Sequence, residues 1–490
     1  MASHTDDSKR IVNIGGPVDE HPRHSTVQVR HVRYRILKII AMVLVAVLVF
    51  AGSVAAATWL NINNAVQSGK IRSLIEGESD EDAYLDPNSG KPINFVLIGQ
   101  DTRDGDGNGD VSGDGATEGG LHNADTTMVV QIGADRNYVN LVSVNLVSIP
   151  RDSLVDVPAC HTSKETIPAQ YGVQFNSIFA NAYSVGGDLS SAASCTVNAV
   201  NALTGLHISN FIVVDFNGLS KMIDSIDGVD LCFPSDVDDP NTNMHLKKGM
   251  HHLNGVEATN YARRRHGNDT DGSDIMRTTR QQYLIKSVLQ KAISRNLFTQ
   301  TSQLYQLVMN AIRSLNFSSG MADTNALMGL ALSLRNLKVD HLYSQTVPIM
   351  SAPQDPNRVV WTEDAKAVWA KFKEAKPLFG SDDSAGADKQ EEEQSQVSVS
   401  EEPTEPAQTE DPSPQPSDDS GSSSQEEKPR LDEKTGLLVH PDGILTDPET
   451  GGVVDPDDGS IKDPNTNQYV GISYRYLNNT ICKVPEHSDD

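Results

Sequence analysis

Positive charge is scarce in this chain. Its 490 residues carry 40 Lys and Arg against 66 Asp and Glu, a formal net charge of −26. A phosphate backbone calls for a broad basic surface, so the balance argues against nucleic acid as a partner. Cysteine is scarce too. Cys160, Cys195, Cys232 and Cys482 are the only four, and none stands in a C-x-x-C pair. The usual zinc spacing is therefore missing. An even count of thiols beyond a membrane span favours disulfides. Three pairings exist, and the spacing alone does not choose among them. Cys160 with Cys195 is expected because both flank one insertion, which leaves Cys232 for Cys482.

Two stretches are defined by what they lack. Ile39 to Leu60 contains no charge and is mostly Ala, Val, Leu and Ile. As a helix it spans roughly 33 Å, enough for one bilayer crossing. Arg30, Arg33, Arg35 and Lys38 precede it, and Glu76, Glu78, Asp80, Glu81 and Asp82 follow it. The positive-inside rule then puts the N-terminus in the cytoplasm and everything after Leu60 outside. Ala55-Ala56-Ala57 imitates a signal cleavage site. The apolar run is longer than a usual signal core, though, and an uncleaved single-pass anchor is expected. Residues 381–430 contain no aromatic residue and hold fifteen acids against three bases. Such a segment cannot bury enough apolar surface to order itself.

These boundaries predict a disordered cytoplasmic tail at 1–35, a transmembrane helix at 36–60 and an extracellular stalk at 61–90. A folded domain at 91–380, the acidic disordered linker at 381–430 and a repeat-containing C-terminal segment at 431–490 follow. Within 91–380, strand patterns (Asn94–Gly99, Thr126–Ile132, Tyr138–Ile149, Phe211–Phe216, Val229–Phe233) alternate with helical ones (Ser190–Leu203, Gly218–Ile226, 273–296, 301–315, 321–335, 362–374). The mixture predicts an α/β fold, an α-β-α layered domain with a central mixed β-sheet. In the C-terminal segment Asp432-Glu-Lys-Thr-Gly436 is echoed by Asp447-Pro-Glu-Thr-Gly451, and Asp463-Pro-Asn-Thr-Asn467 starts a third unit. This is turn chemistry, and small hairpins are expected.

Against the acidic background, Tyr261-Ala-Arg-Arg-Arg-His266 and Asp274-Ile-Met-Arg277-Thr-Thr-Arg280-Gln281 concentrate guanidinium groups. The planar fork of arginine suits a pyrophosphate. If Tyr261–Arg265 is a strand, Arg263 and Arg265 share a face. If a helix starts near Ser273, Asp274, Arg277 and Gln281 form one stripe, with Arg280 about 100° off it. The bland alternative is a solvated helix face with weak ion pairs. Carboxylates stand at strand ends: Asp101 after Asn94–Gly99, and Asp125 before Thr126–Ile132. In Ser148-Ile-Pro-Arg151-Asp152, Pro150 ends a strand and presents Arg151. Carboxylates holding a divalent metal beside arginine clamps are the usual apparatus of phosphoryl transfer.

In this order, Gly-x-Asp-x-Arg, Asp-Thr, Ser-Ile-Pro-Arg-Asp, Tyr-Ala-Arg-x-Arg and Asp-x-x-Arg-x-x-Arg-Gln-Gln resemble the LytR-CpsA-Psr family of cell-envelope phosphotransferases over roughly 91–345. Phe175-Asn-Ser-Ile-Phe179, Thr204-Gly-Leu206 and Ile226-Asp-Gly-Val-Asp230 are similar as well. The resemblance implies transfer of a glycopolymer from a polyprenyl-pyrophosphate carrier onto peptidoglycan, with formation of a phosphodiester. It implies that Asp101 and Asp125 hold Mg²⁺ (or Mn²⁺). Arg151, Arg263, Arg265 and Arg277 would grip the pyrophosphate with Gln281 assisting and Arg103 lending charge. Asp274 would orient arginines or move a proton, and Arg280 is counted with the catalytic cluster. Two positions depart from the family: Asn123 replaces an arginine, and Met276 replaces a glycine. The loop from Asp101 to His122 reads as a flap; its calcium-loop spacing (Asp104, Asp106, Asn108, Gly109) fails at Gly115, where a Glu belongs. His245, His251 and His252 read as surface histidines. A polyprenyl-pyrophosphate binding or regulatory protein without turnover, and an anchored wall spacer, are the competing classes.

Overall fold

The structure is a computed structural model. It describes residues 25–75, 90–102, 122–133, 143–294, 309, 312–334, 337, 341–378 and 429–483. Arg103, the flap with its calcium-like spacing, the linker to residue 428, most of the 301–315 helix and the start of the Tyr138–Ile149 strand lie outside the described residues. The chain divides into two units, Met1–Asn61 and Ile62–Asp490. The first is carried by helix α1 (Ser25–Ser68). Its portion Lys38–Ser68 contains an 18-residue window of mean hydropathy 2.8 and is long and apolar enough to cross a membrane.

The second unit is built on a seven-stranded sheet. Its strands are β1 (Lys70–Ile71), β2 (Ile93–Thr102), β3 (His122–Ile132), β4 (Val144–Ile149), β5 (Asn210–Asp215), β6 (Leu315–Ser318) and β7 (Leu342–Thr346). They lie in the order β1-β6-β5-β2-β3-β4-β7. β2 pairs antiparallel with β3 and parallel with β5, so the sheet is mixed as expected. Part of the expected stalk belongs to this unit. Ile62, Ala65 and Val66 are buried, and β1 pairs with β6. Their apolar side chains leave water for the core, which a solvated stalk could not offer.

The period-two alternation of the strands sends Val96, Ile98, Val129, Val147 and Val213 to one face of the sheet. There they meet α2 (Phe175–Gly186), α3 (Leu189–Thr204) and α8 (Ala365–Lys373), the last through Trp369 and Phe372. Gly187, at φ +78°, closes α2, and Asp188 caps α3 by accepting from the Ser191 amide, so the turn between them is tight. Cys160–Cys195 ties the preceding loop to α3. Phe95, Met128, Val130, Leu146 and Ile212 point to the opposite face. That face is covered by the end of α1, by α6 (Asp274–Ser294) and by α7 (Thr324–Leu334).

The Asp-x-x-Thr-Gly units fold as expected into hairpins, joined in one six-stranded sheet. Its strands run in sequence order: β8 (Arg430–Asp432), β9 (Leu437–Val439), β10 (Leu445–Thr446), β11 (Val453–Val454), β12 (Ser460–Lys462) and β13 (Tyr469–Ile472). Each leading Asp closes its own turn: the Asp447 carboxylate accepts from the Thr450 amide at 2.8 Å and its hydroxyl at 2.7 Å. This sheet is held to the main domain at α6. The Tyr283 hydroxyl accepts from the Cys232 amide at 3.0 Å and donates to Asn478 at 2.8 Å. Cys232–Cys482 closes the same junction, the second expected pairing.

Candidate functional site

A cavity of about 740 Å³ lies between the second sheet face and α6. Phe95, Leu97, Met128, Val130 and Leu146 form its floor. Along α6, Leu284, Ile285, Val288 and Leu289 line it at helical spacing. Arg277 and Gln281 continue the same stripe toward the N-terminus of α6 and line the same cavity. One helix face therefore carries a polar head and an apolar barrel, the outline of an amphipathic ligand. The polar end is completed by Asp101, Asp125, Arg151, Arg263 and Arg265.

Each side chain reaches this mouth for a local reason. β2 and β3 are neighbours, and Asp101 lies opposite Asn123. The register slips between Gly99 and Gln100, leaving Asp125 as the extra residue between Ala124 and Thr126. A bulge re-aims its side chain, here toward the arginines. Arg151 follows Pro150 at the end of β4, and its guanidinium donates to Asp125 Oδ1 at 2.6 Å. Arg277 donates to Asp125 Oδ2 at 2.8 Å, to the Asp125 carbonyl at 2.9 Å and to Asp274 Oδ1. It is only 3% exposed. Asp274 also holds Arg265 at 3.3 Å and accepts from the Arg151 backbone at 3.2 Å. It is buried and not among the lining residues, so of its two expected roles the geometry favours orienting arginines.

The Tyr261–Arg265 segment is not a strand. Helix α5 (Gly255–Arg263) begins in a capping box, with Asn254 and Glu257 satisfying each other's backbone amides, and runs through Tyr261. Arg264 leaves the helix in extended conformation. Arg263 and Arg265 still flank it at the cavity. Arg263 lies over the Phe216 ring at 4.3 Å, while Arg264 is 1% exposed and paired with Asp269. Arg280 is a second correction. It donates to the Arg264 carbonyl at 2.7 Å and does not line the cavity, so it supports the arginine loop from behind.

Asp152, not counted among the expected site residues, sits at the rim. It pairs with Arg265 at 3.8 Å and Arg358 at 3.5 Å, and accepts from Gln174. Its adjacency to Arg151 was the available signal. Asp215 ends β5, as Asp101 stands one residue from the end of β2, and it lines the mouth together with Asp239. The three histidines are exposed or half-buried, with His245 and His252 on Asp238 and Asp230 and His251 on the Lys247 carbonyl.

Burial pushes the Asp125 carboxyl up, but Arg277 and then Arg151 outweigh it and hold it below the ordinary carboxylate range. Burial pushes Asp274 up, against the pull of Arg277 and with help from Asp152. The Nε groups of Arg151, Arg265 and Arg277 are buried without hydrogen-bond partners, which leaves donor capacity at the mouth. Arg151, Arg263, Arg265 and Arg277 share the mouth with the carboxylates Asp101, Asp125, Asp215 and Asp239, and Asp152 and Asp274 pair with Arg265. Among the described residues no group of three or more His, Cys, Asp or Glu could hold a metal ion. Asp101 and Asp125 both line the mouth, and Arg151 and Arg277 occupy both oxygens of Asp125; an ion held there would share that carboxylate and be completed by ligand oxygens and water, the habit of Mg²⁺.

Known proteins are similar to the chain in sequence. The chain is 28% identical over 316 residues to the cell wall biosynthesis protein LcpA of Corynebacterium glutamicum, covering 59% of this chain and 58% of that one. It is 28% identical over 249 residues to the regulatory protein MsrR of Staphylococcus aureus, covering 50% and 66%. It thus spans about three fifths of the length of the curated relatives it matches first. A solved LytR-Csp2A-Psr enzyme from Actinomyces oris aligns with a TM-score of 0.40 at 18% identity, over 58% of this chain and 90% of that one. The model of the LytR_cpsA_psr family matches residues 57–376, which take in every residue of the mouth, and the chain belongs to that family.

Proposed function

We propose that the chain is a membrane-anchored phosphotransferase that moves a glycopolymer from a polyprenyl-pyrophosphate carrier onto peptidoglycan. The observation that carries this reading is the cavity itself: an apolar barrel whose polar end is set with arginines and carboxylates. A polyprenyl chain fits the barrel, gaining about 0.8 kcal/mol per buried methylene. Its pyrophosphate then meets Arg151, Arg263, Arg265 and Arg277, and the Nε groups of Arg151, Arg265 and Arg277 have no hydrogen-bond partner of their own. Gln281, which donates to the Ala262 carbonyl, steadies the end of α5.

In the reaction, an acceptor hydroxyl oxygen of the glycan attacks the phosphorus that bears the polymer. The new P–O bond makes the phosphodiester, the bond to the lipid phosphate breaks, and a proton is released. Asp274 and Asp152 hold the guanidiniums in place as charge moves between the phosphates. Mg²⁺ held by Asp101 and Asp125 would neutralise phosphate charge that arginines already paired with carboxylates leave uncompensated. The helix α1 anchors the chain, with the N-terminus cytoplasmic and the catalytic unit outside, as the flanking charges favour.

The reading is tested by glycopolymer transfer in cells that depend on this chain, comparing wild type with Arg263→Ala. Arg263 is half-exposed and outside the core, so the variant keeps its fold and loses transfer. Undiminished transfer by a variant at wild-type abundance would remove the assignment.

A further inference from the structure

The mouth has a second wall that the charge chemistry leaves unused. Val237–Asp239 and Met244–Leu246 pair as a two-stranded ribbon. Its turn brings Asn241 and Thr242 to the edge of the cavity. Asp239 is fully buried and spends both carboxylate oxygens on that turn, accepting from the Asn241 amide at 3.0 Å and the Thr242 hydroxyl at 3.0 Å. The ribbon is fastened to the arginine segment. Asn260 of α5 donates to the Thr242 carbonyl at 3.3 Å. Asn268, just past Arg265, accepts from the Asp238 amide and donates to the Asp236 carbonyl, each at 2.9 Å. The turn therefore keeps a fixed place relative to Arg263 and Arg265. Among the described residues, nothing bonds to the Asn241 side-chain amide.

We infer that this turn is the subsite for the first sugar of the lipid-linked donor, an inference that rests on the phosphotransferase reading. A donor seated with its tail in the barrel and its pyrophosphate on the arginines must leave through the mouth, and its next group is a neutral polyol. Guanidinium suits the anion; amide and hydroxyl suit the sugar. The Asn241 amide both donates and accepts, matching vicinal hydroxyls or an acetamido group. The Thr242 hydroxyl gives its proton to Asp239 and so turns lone pairs outward to accept from a sugar hydroxyl. The donor rather than the acceptor is favoured, because the turn moves as one piece with the residues that hold the donor's phosphates.

The test is equilibrium binding by the full chain in detergent, without acceptor, to two lipids. One is a polyprenyl pyrophosphate bearing a single N-acetylhexosamine, and the other is the same lipid without sugar. Asn241→Ala is expected to weaken the sugar-bearing lipid by about fivefold, the loss of one exposed hydrogen bond, and to leave the bare lipid unchanged. Thr242→Ser, which keeps the hydroxyl, retains the preference. Wild-type behaviour of Asn241→Ala on both lipids would place the sugar elsewhere. Equal weakening of both would make the turn structural and overturn the inference. Binding of neither lipid by the wild type would bring down the phosphotransferase reading itself. Binding of both lipids that is lost in Arg263→Ala keeps that reading whatever Asn241→Ala does.

Discussion

Arg277→Met removes a side chain that hydrogen-bonds to both buried carboxylates. Arg277 donates to Asp125 at Oδ2 (2.8 Å) and at the carbonyl (2.9 Å), and it also donates to Asp274. Breaking a buried pair while leaving the partner charge costs about 3–5 kcal/mol. Arg151 still holds Asp125 at 2.6 Å and Arg265 still holds Asp274 at 3.3 Å, so a loss of about 3 kcal/mol is expected near pH 7.5. The pH dependence gives the sharper test. In the wild type Asp125 titrates below the ordinary carboxyl value. Its contribution is complete above that ordinary value and is lost only as pH falls through the depressed one. Asp274 already titrates above the ordinary value in the wild type, and without Arg277 each carboxyl loses a charge that lowers it, so both titrate higher than in the wild type. Relative to the wild type, the variant then gains stability as pH falls through the raised values. The deficit should therefore shrink between pH 7.5 and pH 5. Chemical unfolding at the two pH values, followed by the fluorescence of Trp361 and Trp369, reads it. Adding Asp125→Asn should recover part of the loss. A deficit equal at both pH values, or larger at pH 5, would refute the electrostatic account.

Two further outcomes follow from the junctions and the barrel. Cys232→Ser opens a bridge across 250 residues, for which chain entropy sets a ceiling of about 5 kcal/mol. The expected result is protease access to residues 429–483 while the main sheet stays intact, and unchanged protection would contradict it. Ile285→Trp puts a ring into the apolar barrel. Displacing three or four methylenes costs about 3 kcal/mol, roughly a hundredfold in Kd for a long polyprenyl pyrophosphate. A short prenyl pyrophosphate should bind as before, and an equal loss for both would argue against a lipid in the barrel.

Much of this architecture was legible because it is local. The strands Asn94–Gly99 and Val229–Phe233, the helix closing at Gly205 and the Asp-x-x-Thr-Gly turns carry their own propensity and caps. The stripe of Asp274, Arg277 and Gln281 was legible for the same reason, and its 100° offset turns Arg280 away from the mouth. Tyr261–Arg265 was misread because its arginines suit either conformation, while the deciding signal, Asn254-x-x-Glu257, stands a turn upstream. The Asn241–Thr242 turn reaches the site only through tertiary packing, which spacing along the chain does not encode, whereas Asp152 was signalled by its place beside Arg151. Residues 62–75 look like a stalk by position, yet Ile62, Ala65 and Val66 find a core that the sequence presents far downstream.

The most direct test mixes the full chain with a sugar-bearing polyprenyl pyrophosphate and a peptidoglycan fragment. Formation of the glycan phosphodiester is followed with and without Mg²⁺, in wild type and Arg151→Ala. The account predicts Mg²⁺-dependent product from the wild type, release of lipid phosphate when water replaces the acceptor, and no product from the variant. Tight binding of the donor with no product under any condition would contradict it and leave a lipid-binding protein without turnover.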